Sequence, residues 1–174
     1  RLLLAALGRA ALSSVEIGCM EAHGTGTPLG DPTEAGALAA VHGVDGRVTP
    51  LTVGAAKASV GHSEAASGQV GLLKVRQQLH DSVAVGNPQL RVLNPLVVER
   101  LQVAASIFQL PEQALRARNV HHSGVSSFGF SGTIAHAILQ RDDVGHPPQA
   151  VPPFPCPAPL AYHRHAFRWG ESKA

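Results

Sequence analysis

The sequence predicts an α/β protein built on a mixed sheet. Residues 15–20 and 51–56 are short apolar runs typical of buried strands, and each is followed by a loop and then by a segment of helical composition. This alternation predicts helices layered on a sheet. Residues 122–130 predict a strand that ends in a Gly-flanked turn, and residues 133–140 predict a closing strand. A hairpin at that point would add an antiparallel strand and make the sheet mixed.

The helices are predicted by composition and by end signals. Residues 1–12 are rich in Leu and Ala, which favours a helix. Asp31 followed by Pro32 and Glu34 predicts a helix start with Asp31 as the N-cap, and Gly43 is the expected stop. Residues 57–62 are predicted as a loop. Residues 63–78 are predicted as a helix with a face of small residues that allows close packing.

The composition changes near the end of the chain. Residues 103–109 are predicted as an edge strand, and residues 142–174 as a linker without a core of its own, because seven of the 13 residues in 147–159 are proline. An aromatic and basic patch, YHRHAFRW, follows at residues 162–169. The predicted domain therefore covers residues 1–141, and the linker covers the rest.

Composition and charge exclude several classes of protein. The 174 residues are 44% hydrophobic and 15% charged, as in globular proteins, and a net charge of +2 without a basic cluster gives no indication of nucleic-acid binding. The longest apolar run, LLLAAL, is too short to span a bilayer. Two cysteines form neither a disulfide framework nor a zinc site, so an intracellular, cytoplasmic location is expected. The chain opens without Met inside a helical segment, and we expect a fragment.

Two histidines and a tight turn follow the predicted strands. Because neighbouring strand ends converge in α/β sheets, we expect His23, His62 and the turn at Phe130 to approach one pocket. Two neutral imidazole N–H groups could stabilise negative charge on a carbonyl oxygen, and the backbone N–H of Phe130 could serve a second oxyanion. Lys57 and Glu64 could orient His62 or tune its proton affinity.

Each of these residues also has an ordinary structural interpretation. A histidine before glycine is more often a loop residue, a lysine is more often solvated, and Phe130 could be a core aromatic. Glu64 could serve only the helix dipole. Cys19, within a predicted strand, is expected to act as a small buried hydrophobe. The remaining histidines lack the spacing of a metal site, and no metal is expected. Spacing alone leaves the function open.

Three long motifs carry a family resemblance. EAHGTGTPLGDPTEA, KASVGHSEAASG and GVSSFGFSGTIAHAIL, in this order, closely resemble the C-terminal half of a β-ketoacyl synthase, the ketosynthase domain of modular polyketide synthases and fatty acid synthases. The resemblance covers residues 1–140, and the proline-rich segment resembles the linker that follows such domains. It implies the C-terminal half of a thiolase-like fold, in which two halves with mixed five-stranded sheets stack as α-β-α-β-α layers.

The resemblance also implies a reaction and roles for residues. The family carries out decarboxylative Claisen condensation of a cysteine-bound acyl group with malonyl-acyl carrier protein. His23 and His62 would hold the malonyl thioester carbonyl as it becomes an enolate, and Lys57 would support them. Phe130 would act as a gate and give its backbone N–H to the oxyanion hole.

Substrate contacts and partners follow from the same resemblance. Thr25 and Thr27 match positions that line the tunnel of the phosphopantetheine arm. The implied partners are an acyl carrier protein, the N-terminal half of the ketosynthase domain and a second copy in a homodimer, with no directly bound cofactor.

Departures from the family pattern limit what this chain is expected to do alone. Ser59, Ser131 and Ile134 replace the usual Asn, Gly and Asn. The family's catalytic cysteine lies in the N-terminal half, and neither Cys19 nor Cys156 is a credible substitute. We therefore expect the chain alone to be inactive. The alternatives are a non-catalytic partner subunit of the chain-length-factor type or an inactive remnant; a degradative thiolase and an unrelated binding module fit the motifs less well.

Overall fold

A five-stranded mixed sheet forms the framework of the protein. The computed structural model describes residues 1–43, 46–101, 106–117 and 120–141. The strands are β1 (Ile17–Glu21), β2 (Leu51–Gly54), β3 (Val83–Ala84), β4 (Phe108–Gln109), β5 (Leu115–Arg116), β6 (His122–Phe128) and β7 (Ile134–Gln140). The main sheet has the order β4-β2-β1-β6-β7, while β3 and β5 form a separate two-stranded sheet.

The strand directions confirm the mixed sheet that the sequence predicts. β4, β2, β1 and β6 run parallel, and β7 pairs antiparallel with β6 across the expected hairpin. The carboxyl ends of β1, β2 and β6 therefore lie side by side at one edge of the sheet.

The helices pack on both faces of this sheet. They are α1 (Leu2–Ala10), α2 (Gly30–His42), α3 (Lys57–Val60), α4 (Ser67–Asp81) and α5 (Pro95–Leu101), with 3-10 turns at Ser14–Glu16 and Glu64–Ala66. The main core joins α1, α2 and α5 to one face of the sheet, whereas α4 packs on the other face through Val75, Leu79 and Val125. The described residues thus form α-β-α layers.

The face of α4 toward β6 depends on small residues, as predicted. A Cβ added at Gly71 would lie 3.1 Å from Cγ2 of Val125 and 3.3 Å from Cγ of Glu21. Since both distances are shorter than ordinary van der Waals contacts, a side chain at position 71 would require Val125 and Glu21 to shift by a few tenths of an ångström.

Two local predictions are wrong. Helix α2 begins at Gly30, so Asp31 is not its N-cap; the carboxylate of Asp31 instead accepts the N–H of Gly26 at 3.1 Å. Residues 57–62 are not entirely loop, because Lys57–Val60 form the short helix α3. Gly43 ends α2 as expected.

Several predicted features lie outside the described residues. These are the linker 142–174 with its aromatic and basic patch, Cys156, and residues 103–105 of the predicted edge strand. Of the remainder, Phe108 and Gln109 form β4 at the edge of the sheet, whereas residues 106–107 are in a 3-10 turn and not in a strand.

Candidate functional site

The ends of three neighbouring strands bring the two predicted histidines together. His23 lies two residues beyond β1, and His62 follows α3 beyond β2. Their ring centroids are 5.8 Å apart in a T-shaped arrangement. Phe128, the last residue of β6, places its ring 5.1 Å from that of His23. The expected convergence of His23 and His62 is therefore present.

The imidazole of His23 is held in one tautomer. The backbone N–H of Phe128 donates to its Nδ1 at 3.2 Å. A neutral ring that accepts at Nδ1 carries its proton on Nε2. Burial lowers the pKa of His23, and the positive charge of Lys57 lowers it further. The ring is therefore a neutral N–H donor, the form needed to stabilise an oxyanion.

Glu34 on α2 anchors the loop that carries His23. Its carboxylate accepts the backbone N–H of His23 at 2.8 Å and that of Gly24 at 3.0 Å. Glu34 is only 8% exposed on α2. Burial raises the pKa of Glu34, while the two N–H donors oppose that rise. The sequence marks Glu34 only as an acid in the first turn of a helix; its role as an anchor depends on how the loop folds back.

A second buried carboxylate, Glu21, links the segment after β2 to α4. It accepts the N–H of Ala56, which immediately precedes α3, and it pairs with Nζ of Lys74 at 2.5 Å. Burial raises the pKa of Glu21, and Lys74 opposes this effect. The sequence does not predict Glu21 or Lys74 as site residues. The two lie 53 positions apart, so no local pattern indicates that they pair.

Lys57 stands at the start of α3 beside the histidine pair. It is partly buried, and burial lowers the pKa of its ammonium group, while the charges of Glu21, Glu34 and Asp31 act in the opposite direction. A cavity of about 450 Å³ opens next to it. Lys57, His62 and Thr25 line this cavity together with apolar residues that include Leu90, Leu93 and Val97.

The other predicted site residues lie at different distances from this centre. Thr27 uses its hydroxyl to accept the N–H of Gly30 at 3.1 Å, at the start of α2. Phe130 lies at the tip of the β6–β7 turn with a fully exposed side chain, so it is not a core aromatic. Glu64 is exposed and begins a 3-10 turn, and among the described residues no hydrogen bond joins it to His62.

Cys19 is separate from the histidine pair. It is 3% exposed within β1, and burial raises the pKa of its thiol to about 11. A protonated, enclosed thiol is a poor nucleophile. The structure therefore agrees with the prediction that Cys19 is a small buried hydrophobe.

Among the described residues there is neither a metal-binding cluster nor a membrane-spanning helix. No group of three or more His, Cys, Asp or Glu side chains is arranged to hold a metal ion there. Within the same residues, no helix has the length and apolar character needed to cross a membrane.

The α/β chain with two histidines at its strand ends matches a known protein family in sequence. The family described as "Beta-ketoacyl synthase, C-terminal domain" matches residues 1–91, just over half of the 174 residues. The chain belongs to this family.

Curated relatives are polyketide synthases. The chain is 40% identical over 159 residues to "Phenolphthiocerol synthesis polyketide synthase type I Pks15/1" of Mycobacterium marinum, which covers 87% of the chain and 7% of the relative. It is 37% identical over 142 residues to "Erythronolide synthase EryA2" of Saccharopolyspora erythraea, covering 81% of the chain and 4% of the relative. The chain therefore spans less than a tenth of the length of these relatives.

Solved ketosynthase structures share the fold. An oxazolomycin ketosynthase domain of Streptomyces albus, OzmH KS7, superposes with a TM-score of 0.71 at 35% identity, over 79% of this chain and 24% of that one. The ketosynthase from module 1 of the bacillaene synthase of Bacillus amyloliquefaciens gives a TM-score of 0.70 at 31% identity, over 81% and 25%. These matches confirm the predicted fold class, the C-terminal half of a thiolase-like fold.

Proposed function

We propose that residues 1–141 supply the histidine-bearing half of a β-ketoacyl synthase active site. The observation that carries this proposal is the pair of imidazoles at adjacent strand ends, with His23 fixed as a neutral Nε2–H donor by the N–H of Phe128. The reaction is the decarboxylative condensation of an acyl thioester with a malonyl thioester. The nucleophile that carries the acyl group comes from another segment, since Cys19 is enclosed and protonated.

The histidines act on the malonyl thioester. Its carbon–carboxylate bond breaks, CO₂ leaves, and the electron pair becomes an enolate whose oxygen takes the negative charge. The N–H groups of His23 and His62 donate to that oxygen, and a donor aimed at developing charge stabilises the transition state more than the ground state. The enolate carbon then attacks the acyl thioester and releases the nucleophile's thiolate.

Three further roles belong to this proposal. Lys57 keeps His23 neutral, because a nearby positive charge disfavours the imidazolium form. The backbone N–H of Phe130 joins the oxyanion hole for the acyl thioester, with its side chain as a gate. The phosphopantetheine arm contacts Thr25 and Thr27. Thr25 lines the cavity beside Lys57, and Thr27 lies at the end of the His23 loop.

The partners follow from the reaction and from exposed apolar surface. An acyl carrier protein delivers the malonyl group on its phosphopantetheine arm, and the chain binds no cofactor of its own. Leu72, Leu73 and Ile134 are 42%, 62% and 55% exposed. Exposed side chains of this kind support packing against the N-terminal half of the domain, and the complete domain would form a homodimer. Residues 142–174 would be the linker that follows.

One observation favours a second candidate, a subunit of the chain-length-factor type. A solved structure described as "The ishigamide ketosynthase/chain length factor" has a TM-score of 0.67 at 26% identity, over 80% of this chain. A subunit without chemistry has no need of two imidazoles held 5.8 Å apart, so the condensing role is preferred.

The proposal is tested by decarboxylation in the native full-length protein. We would compare the release of CO₂ from malonyl-carrier protein by the unmodified protein and by the His23→Ala and His62→Ala variants. Each variant should lose at least about 100-fold in rate, as for removal of an oxyanion donor. His80→Ala, an exposed histidine on α4, is the matched control and should retain the rate. Equal rates for all four proteins would refute the condensing role and favour the second candidate.

A further inference from the structure

Glu21 is a buried carboxylate on β1 that forms hydrogen bonds with the residue before α3 and with a lysine on α4. It is the last residue of β1, two positions before His23, and is 3% exposed. Oε1 accepts the N–H of Ala56, and Oε2 accepts from Nζ of Lys74 at 2.5 Å. Both oxygens therefore have a partner from a different element.

The two contacts lie on either side of His62 along the chain. Ala56 precedes Lys57, the first residue of α3, and α3 leads directly to His62. Lys74 lies on α4, the next long helix after His62. One carboxylate thus joins the strand before His23 to the elements before and after His62.

The surrounding backbone leaves room for this ion pair. A Cβ at Gly54 would lie 3.1 Å from Nζ of Lys74, and a Cβ at Gly71 would lie 3.3 Å from Cγ of Glu21. Side chains at either position would press on the pair. Glycine is present where β2 and α4 come closest to the charges.

Helix α3 cannot fix its own position. It has four residues, and helices this short are unstable without tertiary contacts. The N–H groups just before it need acceptors, and Glu21 supplies one at Ala56 while the amide oxygen of Asn87 supplies the other at Ala55, 3.0 Å away. The start of α3 therefore depends on side chains from other elements.

We propose that Glu21, which is buried, and Lys74, which is partly buried, are a positioning pair that holds the start of α3, and with it Lys57 and His62, at the correct distance from His23. This inference rests on the proposed condensing function. Glu21 acts through its contacts and does not touch substrate. Lys74 keeps the carboxylate charged and oriented, because a buried carboxylate without a partner is strongly disfavoured.

The test uses the native full-length protein and two separate rates, decarboxylation of malonyl-carrier protein and acyl transfer to the nucleophile. Glu21→Ala removes the acceptor for Ala56, and Lys74→Met leaves the carboxylate unpaired. Each should lower kcat for decarboxylation about 10-fold to 100-fold while KM changes little, as expected when a catalytic group is misplaced by about 1 Å. The rate of acyl transfer should stay within about threefold of that of the unmodified protein, because the Glu21–Lys74 pair positions the histidines and not the nucleophile.

A double variant separates positioning from loss of folding. Glu21→Gln with Lys74→Met removes both charges but keeps an amide oxygen for the Ala56 N–H, so decarboxylation should recover to within about fivefold of the unmodified protein. Arg76→Met, at an exposed position of the same helix, is the matched control for Lys74→Met.

The outcomes distinguish this inference from the function on which it rests. If the double variant is no better than the single ones, or if both rates fall equally in Glu21→Ala, the pair is only structural and the inference is wrong. If His23→Ala lowers the decarboxylation rate at least about 100-fold but Glu21→Ala leaves it unchanged, the inference alone fails. If His23→Ala also leaves decarboxylation unchanged, the proposed function fails and the inference fails with it.

Discussion

Replacing Glu34 should release the backbone that carries His23. Glu34→Ala removes the acceptors of two N–H groups, which donate at 2.8 Å and 3.0 Å to a carboxylate that is 8% exposed. Hydrogen bonds to a charged group contribute about 1.5–3 kcal/mol each, so the two together contribute about 3–6 kcal/mol. Relief of the buried charge, which raises the pKa of Glu34, offsets part of this. We expect a net local loss of about 2–4 kcal/mol.

Hydrogen exchange measures that loss directly. A local destabilisation of about 2–4 kcal/mol should speed amide exchange at His23 and Gly24 by about 30-fold to 1000-fold. The decarboxylation rate should fall about 100-fold, since a displaced imidazole no longer reaches the enolate oxygen. Glu34→Gln, which keeps one acceptor oxygen, should show a smaller effect in both assays, and Glu99→Ala at an exposed position of α5 is the matched control. Unchanged exchange at His23 and Gly24 in Glu34→Ala would refute the anchoring role.

Three further predictions follow. Because the folded pKa of His23 lies below its ordinary value of about 6.5, His23 stays a neutral donor until the pH falls through that lowered pKa. The acid limb of the pH profile for decarboxylation should therefore lie below pH ~6.5. This limb should move to higher pH in Lys57→Met, and an unmoved limb would contradict the effect of the Lys57 charge. Gly71→Ala should destabilise the native protein by about 0–2 kcal/mol, because the cost of overpacking exceeds the gain in helix propensity. Gly8→Ala, where an added Cβ would meet open space, should be neutral or stabilising by up to about 1 kcal/mol. If thermal unfolding showed Gly8→Ala to be the less stable variant, that would count against the close packing of α4. Cys19, whose pKa is raised to about 11, should resist iodoacetamide in the folded protein and react only after unfolding; rapid native labelling would show that it is accessible.

The sequence predicts the meeting of the histidines because a general rule of α/β sheets applies. His23 and His62 each follow a strand, and parallel neighbours place their carboxyl ends at one edge. The sequence also predicts the hairpin at β6–β7, since the Gly-flanked turn and the two apolar runs are local features. These predictions needed no knowledge of which distant residues touch.

The supporting contacts could not be predicted because they depend on register and packing. Glu21 meets Lys74 across 53 positions only because α4 lies against β1 and β6 where glycine permits it. Asp31 has the sequence signature of an N-cap, yet its carboxylate accepts the N–H of Gly26, and α2 begins one residue earlier. The positive φ of Gly26 lets the loop turn back toward Asp31.

We propose that this chain supplies the histidines of a condensing site while another segment supplies the nucleophile. The most direct measurement is to incubate the native full-length protein with an acyl thioester and to locate the acylated residue by peptide mass spectrometry. We expect a label on a cysteine outside residues 1–174, and we expect it to persist in the His23→Ala variant. Acylation of Cys19 or Cys156 would contradict it, as would an unlabelled protein that still condenses acyl and malonyl thioesters.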